Sequence, residues 1–173
     1  IEDYSFSEEG VSLKIPSISE NYFNIPLIGK HQLYNGAGAI AIASYLGMEA
    51  DLIQEGLLNI EESGLRNEIT KYKGVTILND AYKSNPNSLD AALETFYFMD
   101  GYDRKIAVLG DMLGLGFTEI DQHERIGREL DENQIDYLFL VGFLTRHVYR
   151  EAIKHFPKDR IFMAEDKFDL VDQ

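Results

Sequence analysis

Across residues 4–15 apolar and polar side chains alternate on either side of Glu9-Gly10. A period of two around a glycine predicts a β-hairpin. A third strand is predicted from Tyr22 to Ile28. Gly29-Lys30-His31 then opens a helical stretch, and the small, apolar run Ala37 to Leu46 continues it up to Gly47. Side chains this small allow close packing against a sheet. A second helix is predicted from Asp51 to Leu58, with Asp51 near its start, where the macrodipole favours a carboxylate.

Residues 59–74 are polar and interrupt the pattern, which places a domain boundary near them. Beyond this stretch strands and helices alternate. Strands are predicted at Val75–Leu78, Lys105–Leu109, Tyr137–Val141 and Arg160–Met163. Helices are predicted at Leu89–Met99, Ile120–Leu130 and Thr145–His155. This alternation predicts an α/β fold with a mostly parallel, doubly wound sheet, in which the β-branched run Val75-Thr76-Ile77 would be a buried strand.

Composition narrows the classes. With 45% hydrophobic residues in 173, a packed core is within reach and global disorder is excluded. Sixteen basic against thirty acidic side chains leave a net charge of -14, which repels nucleic acid and anionic membrane. No apolar run is long enough to cross a bilayer. The absence of cysteine removes disulfides and thiolate chemistry and fits a reducing, cytoplasmic setting. A first residue Ile1, with no charged and apolar leader after it, leads us to expect a piece of a longer chain.

Three segments carry candidate chemistry. The first runs from Gly29 to Ala39, where His31, Gln32 and Asn35 offer an imidazole and two amides at a helix start. Amide side chains donate and accept together, as an adenine edge requires. The second is Leu78-Asn79-Asp80-Ala81-Tyr82-Lys83-Ser84-Asn85-Pro86-Asn87-Ser88. Asn85-Pro86 fixes a turn and Asn87 or Ser88 can cap the next helix, while Asp80, Tyr82 and Lys83 exceed what a turn needs. At the end of a strand, Asp80 suits a ribose diol, Tyr82 a base or sugar face and Lys83 a phosphate. The third is Ala107-Val108-Leu109-Gly110-Asp111-Met112-Leu113-Gly114-Leu115-Gly116. It is not G-x-G-x-x-G, and Asp111 would repel a pyrophosphate, so it does not predict a dinucleotide site. His123, on the following helix, is expected at the surface or in a cap. No G-x-x-x-x-G-K-[ST] phosphate loop occurs in the chain.

In this order the segments resemble the Mur ligase family. Gly29 to Ala39 matches its G-[KR]-H-N-x-x-N-x-x-A-A helix start, and Asp80 to Leu89 matches its D-x-Y-N-A-N-P-x-S-M segment. Ala107 to Gly116 followed by His123 to Gly127 matches a run particular to the member that adds D-alanyl-D-alanine. The resemblance implies a tail of the central ATPase domain over residues 1–70 and most of a Rossmann-like C-terminal domain over residues 71–173. It implies an ATP-dependent ligase of peptidoglycan precursor synthesis that phosphorylates the terminal carboxylate of UDP-N-acetylmuramoyl-tripeptide. The amine of D-alanyl-D-alanine would then attack the acyl phosphate.

By resemblance Gln32 and Asn35 touch adenine, Asp80 holds the ribose hydroxyls, and Arg66 lies against the phosphates. His31, Tyr82 and Asn85 complete the nucleotide contacts. Asp111, Met112 and Leu113 border the dipeptide. The phosphate loop and the magnesium ligands would lie upstream of Ile1, so this stretch alone is expected to be an inactive, monomeric piece. The chain departs from the family pattern at Gln32 for Asn, Leu65 for Gly, Lys83-Ser84 for Asn-Ala and Gly114 for Glu. The alternatives are a folylpolyglutamate synthase relative and a non-catalytic nucleotide-binding domain.

Overall fold

The computed structural model describes residues 1–60, 64 and 66–171. Two compact units emerge: residues 1–82 with 90–99, and residues 83–89 with 100–173.

In the first unit, β1 (Asp3–Ser7), β2 (Gly10–Lys14) and β3 (Tyr22–Ile25) form an antiparallel sheet in the order β1-β2-β3. The predicted hairpin is β1-β2, with Ser7 opposite Gly10. Alternation sends Val11, Leu13, Phe23 and Ile25 to one face, where they form a core with Leu33, Ile40, Ile53 and Leu57. The last four come from α1 (Gln32–Tyr45) and α2 (Ala50–Leu58). A Cβ on Gly36 would lie 2.0 Å from Ile25 Cδ1, so the small-residue helix meets the sheet with no space to spare. α1 starts at Gln32, directly after the Gly29-Lys30-His31 expected to open it. Its opposite side is also apolar: Tyr34, Ile42, Tyr45 and Leu46 are exposed.

The unit continues with a hairpin of β4 (Glu68–Tyr72) and β5 (Val75–Asn79). This corrects two expectations. The polar stretch 59–74 contains a strand, and Val75–Leu78 pairs antiparallel with it instead of opening the parallel sheet. Nor is that strand buried, since Val75 is 58% and Ile77 46% exposed. A β-branched run favours extended backbone, but it does not determine which sheet receives it. Leu65 lies outside the described residues.

α3 (Pro86–Phe98) contributes its first turn to the second unit and the rest to the first. The second unit holds the parallel sheet β6 (Ile106–Gly110), β7 (Tyr137–Val141), β8 (Ile161–Ala164), in that order. α4 (Glu119–Glu129) packs along α5 (Thr145–Ala152), and α5 packs on β7 and β8. A Cβ on Gly127 would stand 2.4 Å from the Val148 carbonyl oxygen, so α4 approaches the α5 backbone directly. Ala107, Leu138, Leu140 and Ile161 fill the covered face of the sheet. On the other face the rings of Phe139 and Phe162 stack at 4.9 Å. A short helix, α6 (Lys167–Val171), follows β8. The architecture is α/β, with a Rossmann-like parallel unit. No helix among the described residues is long and apolar enough to cross a membrane.

Candidate functional site

The first unit carries polar groups at the start of α1 and at the end of β5, and the fields of His31 and Asp80 link the two. Gly29 is buried, and a Cβ there would lie 2.6 Å from His31 Cε1, so the glycine makes room for the imidazole. His31 precedes α1 without capping it through its side chain. One turn on, Asn35 Nδ2 donates to Gln32 Oε1 at 3.0 Å, which fixes both amides on one face. The pair then presents a donor, Gln32 Nε2, and an acceptor, Asn35 Oδ1. Lys30 Nζ is engaged by Glu94 Oε1 at 3.1 Å, and that carboxylate raises the lysine pKa.

β5 delivers Asp80 at its C-terminal end. The backbone N–H of Asn67 donates to Asp80 Oδ1 at 3.1 Å. Asn67 is itself buried, with φ +49°. Burial raises the Asp80 pKa above its ordinary 3.8, while the Asn67 amide, His31 and Arg66 oppose the shift. Burial lowers the His31 pKa, with Asp80 and then Glu94 opposing it. Each group therefore lies in the other's field. Arg66 sits over the exposed Tyr82 ring, with Cζ 4.4 Å from the centroid.

Two buried side-chain atoms among the described residues have no hydrogen-bond partner: His31 Nδ1 and Asn67 Oδ1. Both belong to residues that act on Asp80. A buried polar atom left unpaired costs about 1–3 kcal/mol, and native structures keep few of them. Asn67 Oδ1 belongs to the residue whose N–H holds Asp80, which makes this carboxylate the candidate ligand group of the first unit.

Other sequence-predicted residues have structural partners. Asn85 Oδ1 accepts from Ser88 N–H at 3.0 Å, and Asn85 N–H donates to Ser88 Oγ at 3.0 Å. This reciprocal cap, with Pro86 in the first turn, starts α3 at Asn85 rather than at Asn87 or Ser88. In the second unit Asp111 Oδ1 accepts from Leu144 and Thr145 N–H, both at 2.9 Å, and Oδ2 from Phe143 N–H at 3.1 Å. Its carboxylate thus caps α5, where the helix dipole favours an anion. Gly142 has φ +118°, and a Cβ there would fall 2.5 Å from that carboxyl group. Met112 is buried and Leu113 exposed.

His123 is fully buried, not at the surface. Met112 N–H donates to its Nε2 at 3.0 Å, and its Nδ1 lies 2.6 Å from the Glu119 carbonyl oxygen. In that arrangement Nε2 accepts and Nδ1 faces a carbonyl oxygen to which it can donate. Sequence reasoning passed over Asn67. Its one signal was asparagine's tolerance of left-handed backbone. Among the described residues no group of three or more His, Asp or Glu side chains is placed to hold a metal.

The fold has one parallel unit and a polar group at the end of the strand before it, and comparison with known proteins places the chain in a family. The description "Mur ligase, glutamate ligase domain" matches residues 65–173, and the chain belongs to the Mur ligase family. It is 39% identical over 172 residues to the UDP-N-acetylmuramoyl-tripeptide--D-alanyl-D-alanine ligase of Bacillus subtilis. That match covers 99% of this chain and 37% of the relative, so the chain spans little more than a third of it. MurF from Acinetobacter baumannii superposes with TM-score 0.81 at 24% identity, over 94% of this chain and 35% of that one. MurF ligase from Thermotoga maritima in complex with ADP gives 0.74 at 21% identity, over 99% and 38%.

Proposed function

We propose that the whole protein is an ATP-dependent ligase that joins D-alanyl-D-alanine to UDP-N-acetylmuramoyl-tripeptide. The observation that carries this reading is the 39% identity along 99% of the chain to a ligase bearing that name. The Asp80 cluster supports its nucleotide half. A carboxylate at a strand end, two amides offering a donor and an acceptor, and an arginine stacked on a tyrosine are what ribose, adenine and phosphate each require. Gln32 and Asn35 would take the adenine edge, Asp80 the ribose and Arg66 the phosphates, with His31 and Tyr82 lining the site. Asn85 would act by fixing the turn that follows Asp80.

In this reading residues 1–70 belong to a central ATPase domain and residues 71–173 to the C-terminal domain. The phosphate loop and the ligands of a magnesium ion would lie elsewhere in the protein. ATP would supply the phosphoryl group that activates the tripeptide carboxylate, and this chain's residues would orient the nucleotide. Exposed Leu113 would face the dipeptide, while Asp111 and buried Met112 hold its loop. The protein would work as a cytoplasmic monomer.

The test is phosphate release by the full-length protein. It should require ATP, UDP-N-acetylmuramoyl-tripeptide and D-alanyl-D-alanine together, and residues 1–173 alone should release none. Release that ignores the dipeptide would overturn the reading.

A further inference from the structure

Asn67 combines two local costs at one position. Its backbone is left-handed, at φ +49°, and its carboxamide oxygen is buried without a partner in a residue only 8% exposed. Costs of this kind persist where surrounding structure holds them for a purpose. Here the same left-handed backbone delivers the N–H that holds Asp80 Oδ1 at 3.1 Å. That bond occupies one oxygen of the carboxylate and leaves Oδ2 for a ligand.

Asp80 Oδ2 and Asn67 Oδ1 can both only accept, so their ligand must bring two neighbouring donors. An exocyclic amine and a vicinal diol both do so. A carboxylate at the end of a strand is the group that a ribose diol meets in open α/β sheets, which selects the diol.

We propose that Asn67 is a second hydroxyl-positioning residue of the nucleotide site, its Oδ1 accepting one hydrogen of the ribose diol while Asp80 Oδ2 accepts the other. This rests on the ATP reading above. It predicts that ribose discrimination is divided between the two residues.

The experiment is calorimetric titration of the full-length protein with ADP, 2′-deoxy-ADP and 3′-deoxy-ADP. Wild type should bind ADP about tenfold more tightly than at least one deoxy form, the size expected of one hydrogen bond to a buried acceptor. Asn67→Gly suits the left-handed backbone and keeps the N–H for Asp80. It should weaken ADP about tenfold, leave that deoxy form unchanged and bring the ratio near one. Asn67→Asp keeps the acceptor and tolerates the same backbone, so it should retain the preference. Loss in both variants alike would mean a structural role and overturn the inference. So would a full preference in Asn67→Gly, or no preference in wild type. If wild type binds no ADP at all, the nucleotide reading falls and the inference falls with it.

Discussion

Two aspartates end consecutive strands of this chain, and they have opposite fates. Asp111, after β6, receives three backbone N–H groups from residues 143–145, and its carboxylate is satisfied by the chain itself. Asp80, after β5, receives one, is desolvated, and is held by a residue, Asn67, whose own buried Oδ1 nothing satisfies. The residue type and the place at a strand end are the same. What differs is whether the surrounding backbone completes the charge or leaves it incomplete. An incomplete carboxylate destabilises the empty protein and is the one that the proposed nucleotide would complete.

The comparison breaks most readily at Asp111. Replacing it by alanine should lower stability by about 2–4 kcal/mol, because three N–H groups at the start of α5 lose a charged acceptor. Chemical denaturation of the variant would check this, and loss of less than about 1 kcal/mol would contradict the capping role. Asp80→Ala should behave differently. Its stability should fall less than that of the Asp111 variant, because one N–H rather than three loses its acceptor and a desolvated charge is removed with it. The Michaelis constant of the full-length protein for ATP should rise about tenfold, the value of one charge-assisted hydrogen bond to the ribose. An unchanged constant would refute the assignment.

The smallest effect is the most discriminating. A carboxyl whose pKa is raised by folding favours the folded state below its unfolded value, and that advantage disappears as pH rises through the raised value. For Asp80, raised above 3.8, this means a penalty at neutral pH. Asp80→Asn should therefore melt slightly higher than wild type at pH 7, with the difference vanishing near pH 3. Asparagine can still accept the Asn67 N–H. A variant that melts lower at pH 7 would place Asp80 in the same class as Asp111.

Much of the second unit was legible in the sequence. β7 has the bounds expected for it, and β6 and β8 lie one residue away, because parallel strands covered by helices form short apolar runs between polar turns. β4 was not legible. Glu68, Thr70 and Lys71 carry no apolar signal, and its turn is marked only by Lys73-Gly74, both at positive φ, where Asn-Gly is the usual cue. The cap made by Asp111 joins residues more than thirty positions apart, and no local pattern encodes it. His123 looked like a surface residue because its neighbours are charged, yet helical periodicity turns it inward with Ile126 and Gly127. Asn67 was hidden in a polar stretch, where burial cannot be read from residue type.

The outer side of α1 has a colloidal consequence. Tyr34, Ile42, Tyr45 and Leu46 give the described surface an apolar stripe along one helix, on a chain whose net charge is -14. At neutral pH the shared negative charge opposes the approach of two such stripes. Near the isoelectric point of about 4.6 that repulsion is gone while the stripe remains. Handled by itself, the chain depends for its solubility on its acidic side chains staying ionised.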